Sequence, residues 1–179
     1  MTSKEMLDIY DENGNRIGVR DRESCHVKNA GVYHKAVWIW VVNSKREILV
    51  QKKSMQKKKN AGKWDMPIAG HVDAGETSLE CCVREAQEEL GLNLQEKDFI
   101  FLKEFKRDVS WEFSQVYLLK TDIQIEDMKL QLEEVEQVKW LNFQEFEKLL
   151  FSEEFCNHND EYKIFACDVL KAFVEGKHN

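Results

Sequence analysis

Proline is almost missing from this chain: Pro67 is the single one among 179 residues, and because it cannot donate to a ladder it argues against a central strand at that point. Low-complexity tracts and internal repeats are missing too, so disorder is expected only at the ends. No run approaches the ~18 apolar residues of a membrane span. The start, MTSKEMLDIYDENGN, has no apolar core of the kind a signal peptide needs, and a cytoplasmic protein is expected. Cysteines occur five times (Cys25, Cys81, Cys82, Cys156, Cys167), an odd count without C-x-x-C spacing, which disfavours a disulfide framework and reads as reduced thiols. Positive charge is in deficit: 26 Lys and Arg against 33 Asp and Glu give −7. That balance argues against sequence-independent nucleic-acid binding, which needs a positive field along the contact surface. A small anionic ligand stays open, since it needs only a local positive or metal-filled site.

What is present is ordinary globular material, 42% hydrophobic, enough to bury a core. One domain over 1–179 is expected, with an N-terminal hairpin at about 5–20 and the core at about 32–179. Met6 to Tyr10 and Arg16 to Val19 flank DENGN, whose Asn13-Gly14 is a two-residue turn signal. KAVWIWVV (35–42), apolar almost throughout, predicts a central strand, and REILVQKK (46–53) a second one. QKKSMQKKKNAGKWDMP reads as a lysine-rich loop. Thr77 to Leu90 is the first clear helix. KDFIFLKEFKRD, VSWEFSQVYLLK and EQVKWL follow as strands, then helices over 142–151 and about 159–174. This order predicts an α/β fold with a mixed sheet covered by helices.

The first helix is well punctuated. Thr77 and Glu80 form a capping-box pattern, and Gly91 stands where a left-handed residue would end it. Leu79, Cys82, Val83, Ala86 and Leu90 make one apolar face. Glu85, Glu88 and Glu89 fall off that stripe and are expected together on the solvent side. Like charges at this spacing cost only about 0.2–0.5 kcal/mol per pair, which Glu80–Arg84 and Arg84–Glu88 pairs would offset. Energy alone is therefore satisfied by a solvated acidic face.

The spacing says more. Gly70, five residues, Glu76, seven residues, then Arg84-Glu85-Ala86-x-Glu88-Glu89-x-Gly91-Leu92 resembles the signature of the Nudix hydrolase family. Filled by chance at about 6% each, seven such positions coincide on the order of once in 10⁸ to 10⁹ windows. The resemblance implies an α/β/α sandwich and hydrolysis of a phosphoanhydride in a small diphosphate of NDP-X type. It implies Mg²⁺, or Mn²⁺ in its place, held by Glu85, Glu88 and Glu89 with Glu76 and the Gly70 carbonyl as further ligands. Glu88 and Glu89 would serve catalysis, and Arg84 would orient the glutamates by salt bridging. The carboxylates suit a hard divalent ion, which takes oxygen ligands in near-octahedral geometry. A homodimer is common in the family.

YHKAVWIWVVNSKREILVQKKS and GKWDMPIAGHVDAGE are similar to the branch that includes isopentenyl-diphosphate isomerase. Those isomerases need a cysteine directly before the Gly-His pair, and here that position is Ala69. The hydrolase reading is favoured over the isomerase, and both over a non-catalytic nucleotide-binding regulator. The isomerases' histidine-rich metal site is matched by His34 and His71, less securely by His26, with Glu112 as acidic partner and catalytic candidate. Ordinary hydrogen-bonded histidines remain the alternative. Of the lysines ahead of the motif loop, Lys53 is the candidate phosphate contact, with His71 as a second substrate-binding residue. Trp38, Trp40 and Trp140 read as core; Trp64 and Trp111 read as better placed to meet a ligand.

Overall fold

A computed structural model describes residues 4–177. Strands β1 (Met6–Tyr10) and β2 (Arg16–Asp21) form an antiparallel hairpin, and a one-turn helix, α1 (Arg22–Cys25), follows. The hairpin loop is longer than the two-residue turn predicted from Asn13-Gly14. The Asp11 carboxylate accepts from the amides of Asn13 and Asn15, both at 2.9 Å, which rolls residues 11–15 into one loop. Then come β3 (His34–Val42), β4 (Ile48–Lys53), β5 (Trp64–Asp65), β6 (Ile68–His71), α2 (Ser78–Leu90), β7 (Phe99–Arg107), β8 (Glu112–Lys120), β9 (Val135–Leu141), α3 (Phe143–Leu150) and α4 (Asp160–Val174).

The apolar run of β3 is explained by burial on both faces. Trp38, Trp40 and Val42 point into one core with α3 and α4; Val37, Ile39 and Val41 point into another with α2. The result is the expected three-layer α/β/α arrangement. The sheet is mixed: β8 runs parallel to β3 along one edge, and β7 lies antiparallel to β8. On its other edge β3 meets β4 only at Val41↔Leu49 and Val42↔Ile48, after which the two strands separate. Strand β5 pairs with β4 and β6 with β3, filling the wedge between them, and Pro67 occupies the crossing from one to the other. The missing donor is thereby tolerated. This splitting of the sheet opens the place where the site lies.

Two contacts seat the hairpin over that place. Tyr10 and Tyr33 exchange backbone bonds of 2.8 and 2.9 Å, and the amide of Ala74 donates to Met6 O at 2.8 Å. Among the described residues, no helix is long and apolar enough to cross a membrane. All five cysteines are free and buried.

Candidate active site

Helix α2 has both predicted ends. Thr77 and Glu80 complete the capping box, and Gly91 is left-handed at φ 69°. Its buried side differs from the predicted stripe: Cys81, Cys82, Ala86 and Leu90 are buried, while Leu79 and Val83 are only partly covered. The placement of the glutamates on the solvent side is also corrected. Glu89 is 7% exposed, the Glu85 side chain 12%, and only Glu88, at 53%, meets solvent freely. The physical reason is β6, which runs beside α2 with Gly70 facing Glu85. A Cβ built on Gly70 would lie inside the Glu85 carboxylate, so glycine is needed for closeness rather than for backbone freedom.

Arg84 ties this end together. Its guanidinium donates to both Glu76 oxygens at 2.9 Å, to Glu85 Oε1 at 2.7 Å and to the His71 carbonyl at 2.9 Å, and lies 3.5 Å from Glu88. Glu80, assigned above to an Arg84 pair, is instead taken up by the cap. Glu76 is engaged by Arg84 and by the amide of Asp73 at 3.0 Å. Glu89 has no ion pair among the described residues; Gln51 Nε2 approaches it at 3.4 Å. Burial pushes the Glu85 carboxyl up to about 7 against the pull of Arg84. Burial, and then repulsion from Glu85, pushes Glu89 up to about 8. Of two buried carboxylates sharing one short stretch of helix, Glu85 is thus paired with Arg84 and Glu89 has no ion pair among the described residues, and their oxygens suit a hard divalent ion.

A second cluster lies alongside. His26, His34 and His71 bring one ring nitrogen each within 4.8 Å of one another. His26 Nε2 is 3.1 Å from His71 Nε2, and His26 Nδ1 is 2.8 Å from the Arg22 carbonyl, so α1 sets that ring. His34 is fully buried and neither of its ring nitrogens has a hydrogen-bond partner. Its Nε2 stands 3.7 Å from Glu112, outside hydrogen-bond range. Burial drives His71 down to about 3, leaving a neutral imidazole. Burial opposes ionisation of Glu112, but His34, a short contact from Ser114 Oγ and the charge of Arg107 outweigh it and bring the carboxyl down to about 2. Nitrogen donors with one carboxylate are a set that fits borderline transition ions. The register His34↔Glu112 between parallel β3 and β8 is what places the acid there.

One cleft of about 530 Å³ takes in Gly70, His71, Glu85, Glu88, Glu89 and Glu112, with Lys53 on its wall. Six of the nominated residues therefore share it with the lysine. Arg84 also lines it, whereas Glu76 stands behind Arg84. Trp64, expected to face a ligand, is buried in the core with Lys139 over its ring at 4.0 Å. Trp111 packs on Tyr33 at a ring distance of 5.3 Å and is not among the residues that line the cleft. Trp38, assigned to the core, is buried there and also floors the cleft. Sequence reasoning missed Gln51, which shares a face of β4 with Lys53; a polar end on an otherwise apolar strand was the available signal. It also missed Asp65 and His158, which meet at 2.8 Å across 93 positions and carry no local signature.

A family model described as the NUDIX domain matches residues 32–161, and the chain belongs to that family. It is 36% identical over 163 residues to Nudix hydrolase 3 of Arabidopsis thaliana, covering 85% of this chain but 21% of that longer protein. It is 27% identical over 150 residues to the isopentenyl-diphosphate Delta-isomerase of Corynebacterium glutamicum, covering 78% and 77% of the two chains. A crystal structure from Deinococcus radiodurans superposes with a TM-score of 0.71 over 93% of this chain and 98% of its own, at 21% identity, which speaks to fold alone. The family match and the hydrolase names of relatives support a pyrophosphohydrolase enzyme.

Proposed function

We propose that the protein hydrolyses the phosphoanhydride bond of a small diphosphate substrate of NDP-X type with Mg²⁺, for which Mn²⁺ can substitute. The observation that carries this is the pair of buried carboxylates, Glu85 and Glu89, without a neutralising cation of its own for Glu89, in a cleft that also holds Lys53. Glu85 and Glu89 would hold the ion, with Glu88 at the rim and the Gly70 carbonyl beside them. When bound, the ion neutralises charge on the diphosphate and lowers the pKa of water. Arg84 fixes the Glu85 carboxylate and takes Glu76 as its brace. The Lys53 ammonium binds phosphate oxygens from the cleft wall, and His71 and Glu112 bound the substrate on the histidine side. Glu112, held ionised, supplies a negative charge beside the histidines there; at about 2 it is too weak a base to take up a proton near neutral pH. Catalysis of this kind rests mostly on positioning and electrostatics.

No cysteine lines the cleft among the described residues, and Ala69 stands next to Gly70 on its floor. Cys81 sits behind β6, its thiol donating to the His71 carbonyl at 3.2 Å. The isomerase therefore lacks its thiol here. The test is a screen of nucleoside diphosphate derivatives and prenyl diphosphates with Mg²⁺ or Mn²⁺, reading phosphate release and organic products together. Glu88→Gln and Glu89→Gln are each expected to lower turnover about 100-fold or more with the fold retained. Undiminished turnover in both overturns the assignment. Isomerised product without cleavage points to the isomerase, and tight binding without turnover to a regulator.

A further inference from the structure

Behind Lys53 lie two largely buried polar side chains, Asp65 and His158, that the chemistry above does not use. Asp65 is buried, and its two oxygens have different tasks. Oδ1 accepts from the Met66 amide at 2.9 Å and faces His158 Nε2 at 2.8 Å. Oδ2 faces the Lys53 ammonium at 3.4 Å. His158 cannot easily swing away: its ring lies 5.1 Å from Trp38 and 5.0 Å from Tyr162. Its backbone segment is stitched to β5, Trp64 N donating to Glu154 O at 2.9 Å and Cys156 N to Trp64 O at 2.8 Å. Since Nε2 faces a carboxylate it carries the proton, and Nδ1 is left buried without a partner.

Stability does not account for such an arrangement. Buried ion pairs usually do no better than well-packed apolar residues of the same volume, because desolvation offsets the attraction. What the arrangement does achieve is direction. A lysine ammonium on a flexible four-carbon stem has many rotamers, and ordering it costs side-chain entropy. Asp65 holds Lys53, the lysine of β4 that lines the cleft, at 3.4 Å, with the lysine side chain 21% exposed.

We infer that Asp65, braced by His158, is a positioning residue that aims the Lys53 ammonium at the phosphate groups of the substrate. This rests on the reading of Lys53 as a phosphate contact given above. Neither Asp65 nor His158 touches the cleft contents; both act through Lys53.

The test is a double-mutant cycle read by calorimetry, with methylenediphosphonate and Mg²⁺ as the probe and the full-length protein throughout. Lys53→Met is expected to weaken binding about tenfold, what one charge-assisted contact is worth. Asp65→Asn should weaken it comparably, and the double variant no further than the stronger single one. His158→Phe should reproduce the loss, while His158→Gln, which keeps an N–H donor, should recover most of it. A merely structural role lowers Tm in all these variants but gives additive losses and no rescue by Gln, and that pattern overturns the proposal. So does unchanged binding in Lys53→Met or Asp65→Asn. If Asp65→Asn does not fold, the two His158 variants decide the matter alone. Failure of the unmodified protein to bind the probe sinks the diphosphate reading itself, and this proposal with it; additivity in a protein that does bind sinks only the positioning role.

Discussion

At the scale of single residues, Gly70 and Glu85 occupy one space. Strand β6 passes so close to α2 that the carboxylate fills the position of a side chain Gly70 does not have. Gly70→Ala adds no backbone strain, because this glycine is not in the left-handed region, so the methyl acts only by displacing Glu85. Calorimetric titration with Mg²⁺ is expected to show affinity reduced about 10–100-fold, the range typical when a supporting group of a metal site is disturbed. The far-ultraviolet circular dichroism should be unchanged. Unaltered affinity would mean that Glu85 is not needed where the structure puts it. This residue pair also marks what spacing alone conveys: Gly70, Glu85 and Glu89 stand out by their intervals, yet the helical pattern puts the two glutamates, with Glu88, toward solvent. A wheel projection cannot see a neighbouring strand.

Elements explain the difference. Helix α2 presents its apolar side to the core and its glutamate side to the gap where β3 and β4 part, so both sides are covered. Its boundaries were legible because caps are local: Thr77 with Glu80, and Gly91 at the end. Gly91 combines a left-handed φ of 69° with a neighbour, since an added Cβ would stand 2.7 Å from Lys129 Cβ and 3.1 Å from its backbone nitrogen. Gly91→Ala should cost about 1–2 kcal/mol from the backbone conformation alone. The Lys129 contact adds to this. Gly14→Ala is the control, left-handed at φ 82° with nothing within 4 Å. Thermal unfolding should place the Gly91 variant several degrees below the Gly14 variant, given about 2–4 °C per kcal/mol at this size. Equal Tm values would show that the segment around Lys129 yields freely.

On the scale of the whole molecule, the illegible parts are the long-range ones. The apolar run of β3 announced a buried strand, but not that β5 and β6 would enter between it and β4 around Pro67. The resemblance points to the histidines, but only the parallel register of β3 and β8 and the hairpin's seat bring His26 and His34 beside His71 and Glu112, the two of the four that line the cleft. The assembled cleft has a thermodynamic consequence that no single element has. Glu85 and Glu89, raised from 4.5 to about 7 and about 8, keep protons in the fold that the unfolded chain has lost. The folded state then binds more protons, and stability falls as pH rises through this window. His71, lowered from 6.5 to about 3, acts oppositely, but only below its unfolded value near 6.5. Asp65 and Glu112, both lowered to about 2, contribute stability that is lost only in acid and is constant here. Two glutamates outweigh one histidine, so stability falls from about pH 4.5, and between about pH 6.5 and about pH 8 it falls with no opposition from His71. On the proposed reading a divalent ion would bind the ionised pair, release its protons and stabilise by mass action. In thermal scans with and without millimolar Mg²⁺, the separation in Tm is expected to widen with pH across that range, and in Glu89→Gln to shrink and lose its slope. A separation that stays constant from acid to neutral pH would mean that protons and the metal do not compete for these two glutamates.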